Sequence, residues 1–262
     1  MKNLVAFACT TLMAALIPTT SWSQQSAPGG AAPETSRWAV GLGASSRQLA
    51  YAGVERKNRA LPLLYFENRW LRFAGVGAEI KLLNPGFGEA QRVTGGLRVK
   101  YEDEGFEADD APRLAGMDER KASIWGGATA TWHNPVAQLS AEWVADLSGH
   151  SKGQKLLLQA ERRFGWGSVS LTPRVQLQWL DRKYVDYYFG VRADEATLAR
   201  PAHAGQAAMA LEAGVRVDYA LTARHAVFLD VSGTRLPGEI TLSPLVDRKT
   251  TSRAAIGYLY RF

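Results

Sequence analysis

The chain has 262 residues, 46% hydrophobic, 10% aromatic and 21% charged, with 25 glycines and a net charge of +6. Beyond the N-terminal apolar run no stretch reaches the roughly 18 apolar residues of a membrane-crossing helix, so a helical membrane protein is excluded. The basic residues are interspersed with acidic ones rather than gathered in a stripe, which argues against nucleic acid as a partner.

Lys2, the apolar run from Leu4 to Ile17 and the small-x-small pattern Ser21-Trp22-Ser23 read as a secretory signal peptide over 1–23. The single cysteine, Cys9, lies inside that signal, so the exported chain is expected to form no disulfide and no cysteine-based metal site. Residues 24–36 are polar and rich in Pro, Gly and Ala, and read as a flexible periplasmic leader. One domain then fills 37–262.

Within that domain apolar residues recur at every second position. Segments near 37–45, 61–67, 69–82, 90–101, 119–132, 136–147, 153–164, 168–180, 205–219, 223–235 and 251–262 read as strands. From 169 to 179 the odd set is Val169, Leu171, Pro173, Val175, Leu177 and Trp179, against Ser170, Thr172, Arg174, Gln176 and Gln178. From 207 to 219 Met209, Leu211, Val215, Val217 and Tyr219 oppose Glu212, Arg216 and Asp218.

A strand between lipid and a polar interior needs this alternation, because successive side chains point to opposite faces and hydrocarbon cannot solvate charge. Sandwich strands alternate too, but usually run about 5–6 residues. Most of the segments here are about twice as long.

In the N-terminal third the apolar phase slips. Leu71 and Phe73 are odd, whereas Val76, Ala78, Ile80 and Leu82 are even, so Gly75-Val76-Gly77 must hold a bulge or a turn. A turn there splits 69–82 and raises the count from eleven to twelve, the even number expected of a bacterial barrel.

Trp38, Trp132, Trp143, Trp179, Tyr219, Tyr258 and Phe262 fall near strand ends on the apolar face, as girdle aromatics do. The last segment places Ala254, Ile256, Tyr258, Tyr260 and Phe262 on one face. Such a terminal aromatic strand looks like the signal read by the barrel-assembly machinery, with Phe262 as its end.

The fold class is therefore all-β: an antiparallel transmembrane β-barrel of twelve strands, with ten as the alternative, in the outer membrane of a Gram-negative cell. Its surroundings are outer-membrane lipid and lipopolysaccharide. Turns near 133–135, 165–167 and 220–222 fall on the periplasmic side, and the longer loops 102–118, 181–204 and 236–250 fall outside. The inward set mixes signs, including Arg98, Lys100, Glu142, Lys155, Arg174, Glu212, Asp230 and Arg253. Paired across the lumen, such charges would plug it.

No nucleotide, hydrolase or metal motif occurs. His150 beside Asp146, Ser148 and Ser151 permits a general-base reading, but Asp146-Leu147-Ser148-Gly149-His150-Ser151 is equally a tight-turn sequence. Neither catalytic nor cofactor or metal residues are expected. The cluster from Lys183 to Val191 reads as a loop lid packed on the barrel mouth rather than a sugar platform.

Several motifs in order resemble the MltA-interacting protein (MipA)/OmpV family of outer-membrane proteins. They are Tyr51-Ala52-Gly53, Pro62 ahead of Tyr65, Gly116-Met117, Asp146 with Ser148-Gly149 and Ser151-x-Gly153, and Leu171-x-Pro173. Asp186-Tyr187-Tyr188-Phe189-Gly190-Val191, Ser243-Pro244-Leu245-Val246 and the closing Tyr258-x-Tyr260-x-Phe262 complete them.

The resemblance implies a scaffold joining a lytic murein transglycosylase to a bifunctional penicillin-binding protein in peptidoglycan synthesis. A small-solute channel is the alternative, followed by an adhesin or a rim hydrolase. It implies no catalytic residue, and the Asp146 and Tyr187 motifs read as architectural.

Overall fold

A computed structural model describes residues 36–87 and 91–262. The signal peptide over 1–23 and the leader as far as residue 35 lie outside the described residues.

Twelve antiparallel strands form a closed barrel: β1 Arg37–Arg47, β2 Lys57–Glu67, β3 Leu71–Ala74, β4 Gly77–Leu83 continued by Gly86–Phe87, β5 Gln91–Glu102 and β6 Ser123–His133, then β7 Gln138–Asp146, β8 Gln154–Glu161 continued by Phe164–Trp166, β9 Val169–Leu180, β10 Ala208–Ala220, β11 His225–Arg235 and β12 Thr250–Arg261. Each strand pairs with its chain neighbours, and β12 pairs with β1 from Ala39↔Arg261 to Arg47↔Arg253 to close the ring. Closure removes the free edges that an open sheet would leave in lipid, except along the outer half of β2. No helix among the described residues is long and apolar enough to cross a membrane.

The phase slip is a turn. Gly75 has φ +59, a value only glycine adopts without strain, and the chain reverses so that Ala74 pairs with Gly77. Because β3 has four residues, it meets β2 only at Tyr65, Phe66 and Glu67. The outer half of β2 therefore has one strand neighbour, β1, and carries Pro62, whose missing N–H is tolerated at such an edge.

Two irregularities have local causes. The β4–β5 register shifts by one residue between Lys81 and Leu83, a bulge that leaves Leu82 and Leu83 both exposed. In β8 the ladder breaks between Glu161 and Phe164 without any residue being inserted, opposite Pro173. Arg162 N–H still donates to the Pro173 carbonyl at 3.2 Å, but proline has no N–H to return.

At the N-terminal end of β1, taken as periplasmic, short polar side chains make the turns. Asn68 Oδ1 accepts from Trp70 and Leu71 N–H, Asn134 Oδ1 from Val136 and Ala137 N–H, and Thr222 Oγ1 from Arg224 and His225 N–H. The turn expected at 165–167 starts later, since Trp166 still pairs with Val169.

Trp38, Trp132, Trp143, Trp179, Tyr219, Tyr258 and Phe262 are exposed on the outer face. Inside, ion pairs cross from strand to strand. Arg98 contacts Glu79 and Glu142, Lys100 bridges Glu142 and Glu102, and Lys155 meets Glu102. On the opposite wall Arg174 takes Asp230 with both terminal nitrogens, at 2.8 and 2.9 Å. Leu61, Leu63, Phe228 and Leu259 fill one side of the lumen with apolar bulk.

Candidate functional site

Of the eight motifs, Pro62 with Tyr65, Leu171-x-Pro173 and Tyr258-x-Tyr260-x-Phe262 belong to the wall. The other five converge on the outer mouth of the barrel, where five loops pack into a cap. Its centre is helix α1, Arg182–Phe189, inside the segment expected to be a loop. Asp181 caps α1, its carboxylate accepting from Tyr184 N–H at 2.8 Å. The helical period splits the aromatic cluster: Tyr184, Val185 and Tyr188 are buried, whereas Tyr187 lies on the other side and accepts Lys121 N–H at 2.8 Å.

Glycines let α1 sit low. A Cβ on Gly153 would lie 2.8 Å from Tyr184 N, and one on Gly205 would lie 2.2 Å from Asp186 N. Asp186 Oδ1 accepts Gly205 N–H at 2.7 Å, and Gly190 N–H donates to the Asp186 carbonyl to end the helix.

Other loops then bond to the backbone of α1. Tyr51 hydroxyl donates to the Tyr188 carbonyl at 3.1 Å, and Ser243 Oγ donates to the Phe189 carbonyl at 2.6 Å. Pro244 follows in a turn closed by Val246 N–H on the Ser243 carbonyl, after a short helix α2, Gly238–Thr241. That turn buries Leu245 completely beside Tyr51, Phe106, Leu114 and Met117, next to Gly116 at φ +77. Burial holds the Tyr51 and Tyr188 hydroxyls protonated by pushing their pKa values up.

The Asp146 motif builds the neighbouring loop. Its carboxylate accepts Ser148, Ser151 and Lys152 N–H and the Ser151 hydroxyl, all between 2.7 and 3.1 Å. Gly149 takes φ +73, and Ser148 Oγ accepts Ile124 N–H. His150 Nδ1 faces the Ala122 carbonyl at 2.9 Å and stands 3.4 Å from Ser123 Oγ, so the neighbouring carboxylate does not orient it. Among the described residues no group of three or more His, Cys, Asp or Glu is placed to hold a metal ion.

Arg120, Glu195 and Arg200 were not distinguished by sequence reasoning. Buried Arg120 donates to the Tyr187 and Asp118 carbonyls and to Glu195 Oε2 at 2.7 Å. Buried Arg200 donates to the carbonyls of Glu195, Arg113 and Ala115. Burial alone would raise the Glu195 pKa, but Arg120 and the N–H groups of Arg192 and Asp118 hold it down at about 2. Seventy-five residues separate Arg120 from Glu195, and no local pattern marks the pair.

Beneath the cap lies a cavity of about 280 Å³, lined from Tyr51, Tyr188 and Phe189 down to His133 and Gln138 near the periplasmic end. Packed side chains of five loops thus lie over the outer end, and paired charges line the space below.

With this architecture in view, the model of the family described as MltA-interacting protein MipA matches residues 40–262. The chain belongs to the MipA family. Among its relatives, outer membrane protein Omp26La of Vibrio anguillarum is 30% identical over 142 residues, 54% of this chain and 55% of its own. Outer membrane protein OmpV of Vibrio cholerae is 28% identical over the same shares. The MltA-interacting protein of Escherichia coli K12 is 22% identical over 240 residues, 89% of this chain and 93% of its own. The MipA-family barrel described here is an outer-membrane protein, as its relatives are named.

Proposed function

We propose that this MipA-family barrel is a non-enzymatic scaffold that brings peptidoglycan-remodelling enzymes to the inner face of the outer membrane. The observation that carries the reading is the capped mouth. Loops pack over the outer end through Tyr51, Arg120, Tyr188, Ser243 and Leu245, and ion pairs line the lumen below. A capped barrel leaves its periplasmic turns and the leader 24–36 as the surfaces on which to dock a partner.

The name of the MltA-interacting relative supports a lytic murein transglycosylase as one partner. A bifunctional penicillin-binding protein is the other partner proposed, and the assembly machinery would engage the strand ending at Phe262. Crosslinking in intact envelopes followed by capture of the tagged barrel tests the scaffold. The expected result is a transglycosylase or penicillin-binding protein in the captured material, lost when 24–36 is deleted, whereas neither enzyme with the intact chain refutes it.

The small-solute channel is favoured by the charged cavity alone. Planar-bilayer recording separates the readings: the scaffold predicts no stable unit conductance, and a channel predicts regular steps.

A further inference from the structure

Arg47 on β1 and Arg253 on β12 face the lumen and stand directly opposite each other in the closing pair of strands. Like charges at directly opposed positions repel. Arg47 is compensated: Nη2 lies 3.2 Å from Glu104 Oε1, and Nη1 donates to the Asp103 carbonyl at 3.1 Å. Arg253 has no hydrogen-bond or ion-pair partner among the described residues; it is half-buried against the cavity, within electrostatic reach of Asp230 and Glu212.

The carboxylates nearby are engaged elsewhere. Asp230 is held by both terminal nitrogens of Arg174, and Glu212 accepts the Thr234 hydroxyl at 3.0 Å and faces Arg174 at 3.8 Å. Ser232, paired with Arg253 across β11, and Thr251 on β12 line the same cavity with hydroxyl groups. A guanidinium removed from bulk water without a counter-ion is unfavourable, and its planar fork of donors matches a two-oxygen anion.

We propose that this corner of the lumen is a binding site for a small oxyanion, a carboxylate or a phosphate, held between Arg253 and Arg47 with Ser232 donating a further hydrogen bond. The cavity has room for such an ion with a few waters and none for a polymer. Its lining continues to His133 and Gln138 at the periplasmic end, whereas the cap closes the other, so the ion enters from the periplasm. The site does not depend on the scaffold reading, since a lumen anion site is compatible with or without a docked enzyme.

The test is thermal unfolding of the detergent-purified barrel, titrated separately with inorganic phosphate, with acetate and with chloride at matched ionic strength. Phosphate or acetate should raise the midpoint with the logarithm of its concentration once that exceeds the dissociation constant, by about 5 °C at hundredfold excess, and chloride should give no such logarithmic component. General salting effects act on every folded barrel, so Arg253→Gln supplies the control and should abolish the logarithmic component.

Arg253→Lys keeps the charge without the fork and should weaken the titration about tenfold. The proposal is overturned if Arg253→Gln titrates like the parent, if chloride reproduces the curve, or if neither oxyanion shifts the midpoint. Should the glutamine variant fail to fold, a lysine variant indistinguishable from the parent overturns it equally.

Discussion

In the wall, Val175 faces lipid while Gln176 next to it faces the lumen, and most of the other strands repeat the same two-way choice outside the apolar patch of Leu61, Leu63, Phe228 and Leu259. In the cap, Arg120 reaches Tyr187, Asp118 and Glu195, brought together from separate stretches of chain. The wall therefore specifies a class of side chain at each position, and the cap specifies individual residues. Tolerance to substitution should differ accordingly.

The largest effect is expected in the cap. Glu195→Ala would leave the buried Arg120 guanidinium without its carboxylate, a change that typically costs about 3–5 kcal/mol. Extracellular loops should become cleavable by protease added to whole cells while the barrel stays heat-modifiable on gels. The same pair sets a pH limit. Glu195 titrates near 2 when folded and near 4.5 when free, so its contribution is complete above pH 4.5 and is lost as pH falls towards 2. Near-UV circular dichroism of the cap tyrosines should fade over that interval in the parent, and Glu195→Gln should remove this component.

Val175→Arg puts a charge near the middle of the lipid face and should cost about 2–4 kcal/mol, read as a lower midpoint of urea unfolding into lipid vesicles. Gln176→Arg, one residue along, should cost far less. A Gln176 variant as damaging as the Val175 variant would break the contrast between the two faces. Gly153→Ala should cost about 1–3 kcal/mol, because the new Cβ would lie 2.8 Å from Tyr184 N and force α1 outward. Hydrogen exchange should rise in α1 and stay unchanged in β9. The smallest effect is expected for Tyr187→Phe, about 1 kcal/mol from the Lys121 N–H bond, in thermal unfolding.

This contrast also explains what the sequence disclosed. Alternation located the strand segments, and the parity change between Phe73 and Val76 marked a bulge or a turn that the structure resolves as a turn at Gly75, because side chains in a strand report their face residue by residue. The outer half of β2 extended past the expected start at residue 61, since Lys57, Asn58 and Arg59 are polar on both faces where the barrel leaves the lipid.

The cap was legible only as separate motifs. Asp146 and Gly149 advertise a turn, and Asp186 with Gly190 marks a special loop, but that Tyr51, Tyr188, Ser243 and Leu245 meet is a property of closure. Helix α1 was missed for a related reason: its eight residues are too few for a periodic pattern to stand out, and its inward face acquires meaning when the barrel mouth lies beneath it. Arg253 was placed correctly in the lumen, whereas its lack of a counter-ion became visible with the β1–β12 register.

The order in which the chain delivers the cap has a consequence for biogenesis. Tyr51 arrives with the first hairpin and α1 with the segment after β9, but Leu245 and Ser243 lie between the last two strands. The plug thus lacks its final piece until the penultimate strand has been threaded, and an unfinished cylinder stays uncorked. The packed mouth thus depends on contacts drawn from both the first and the last hairpins.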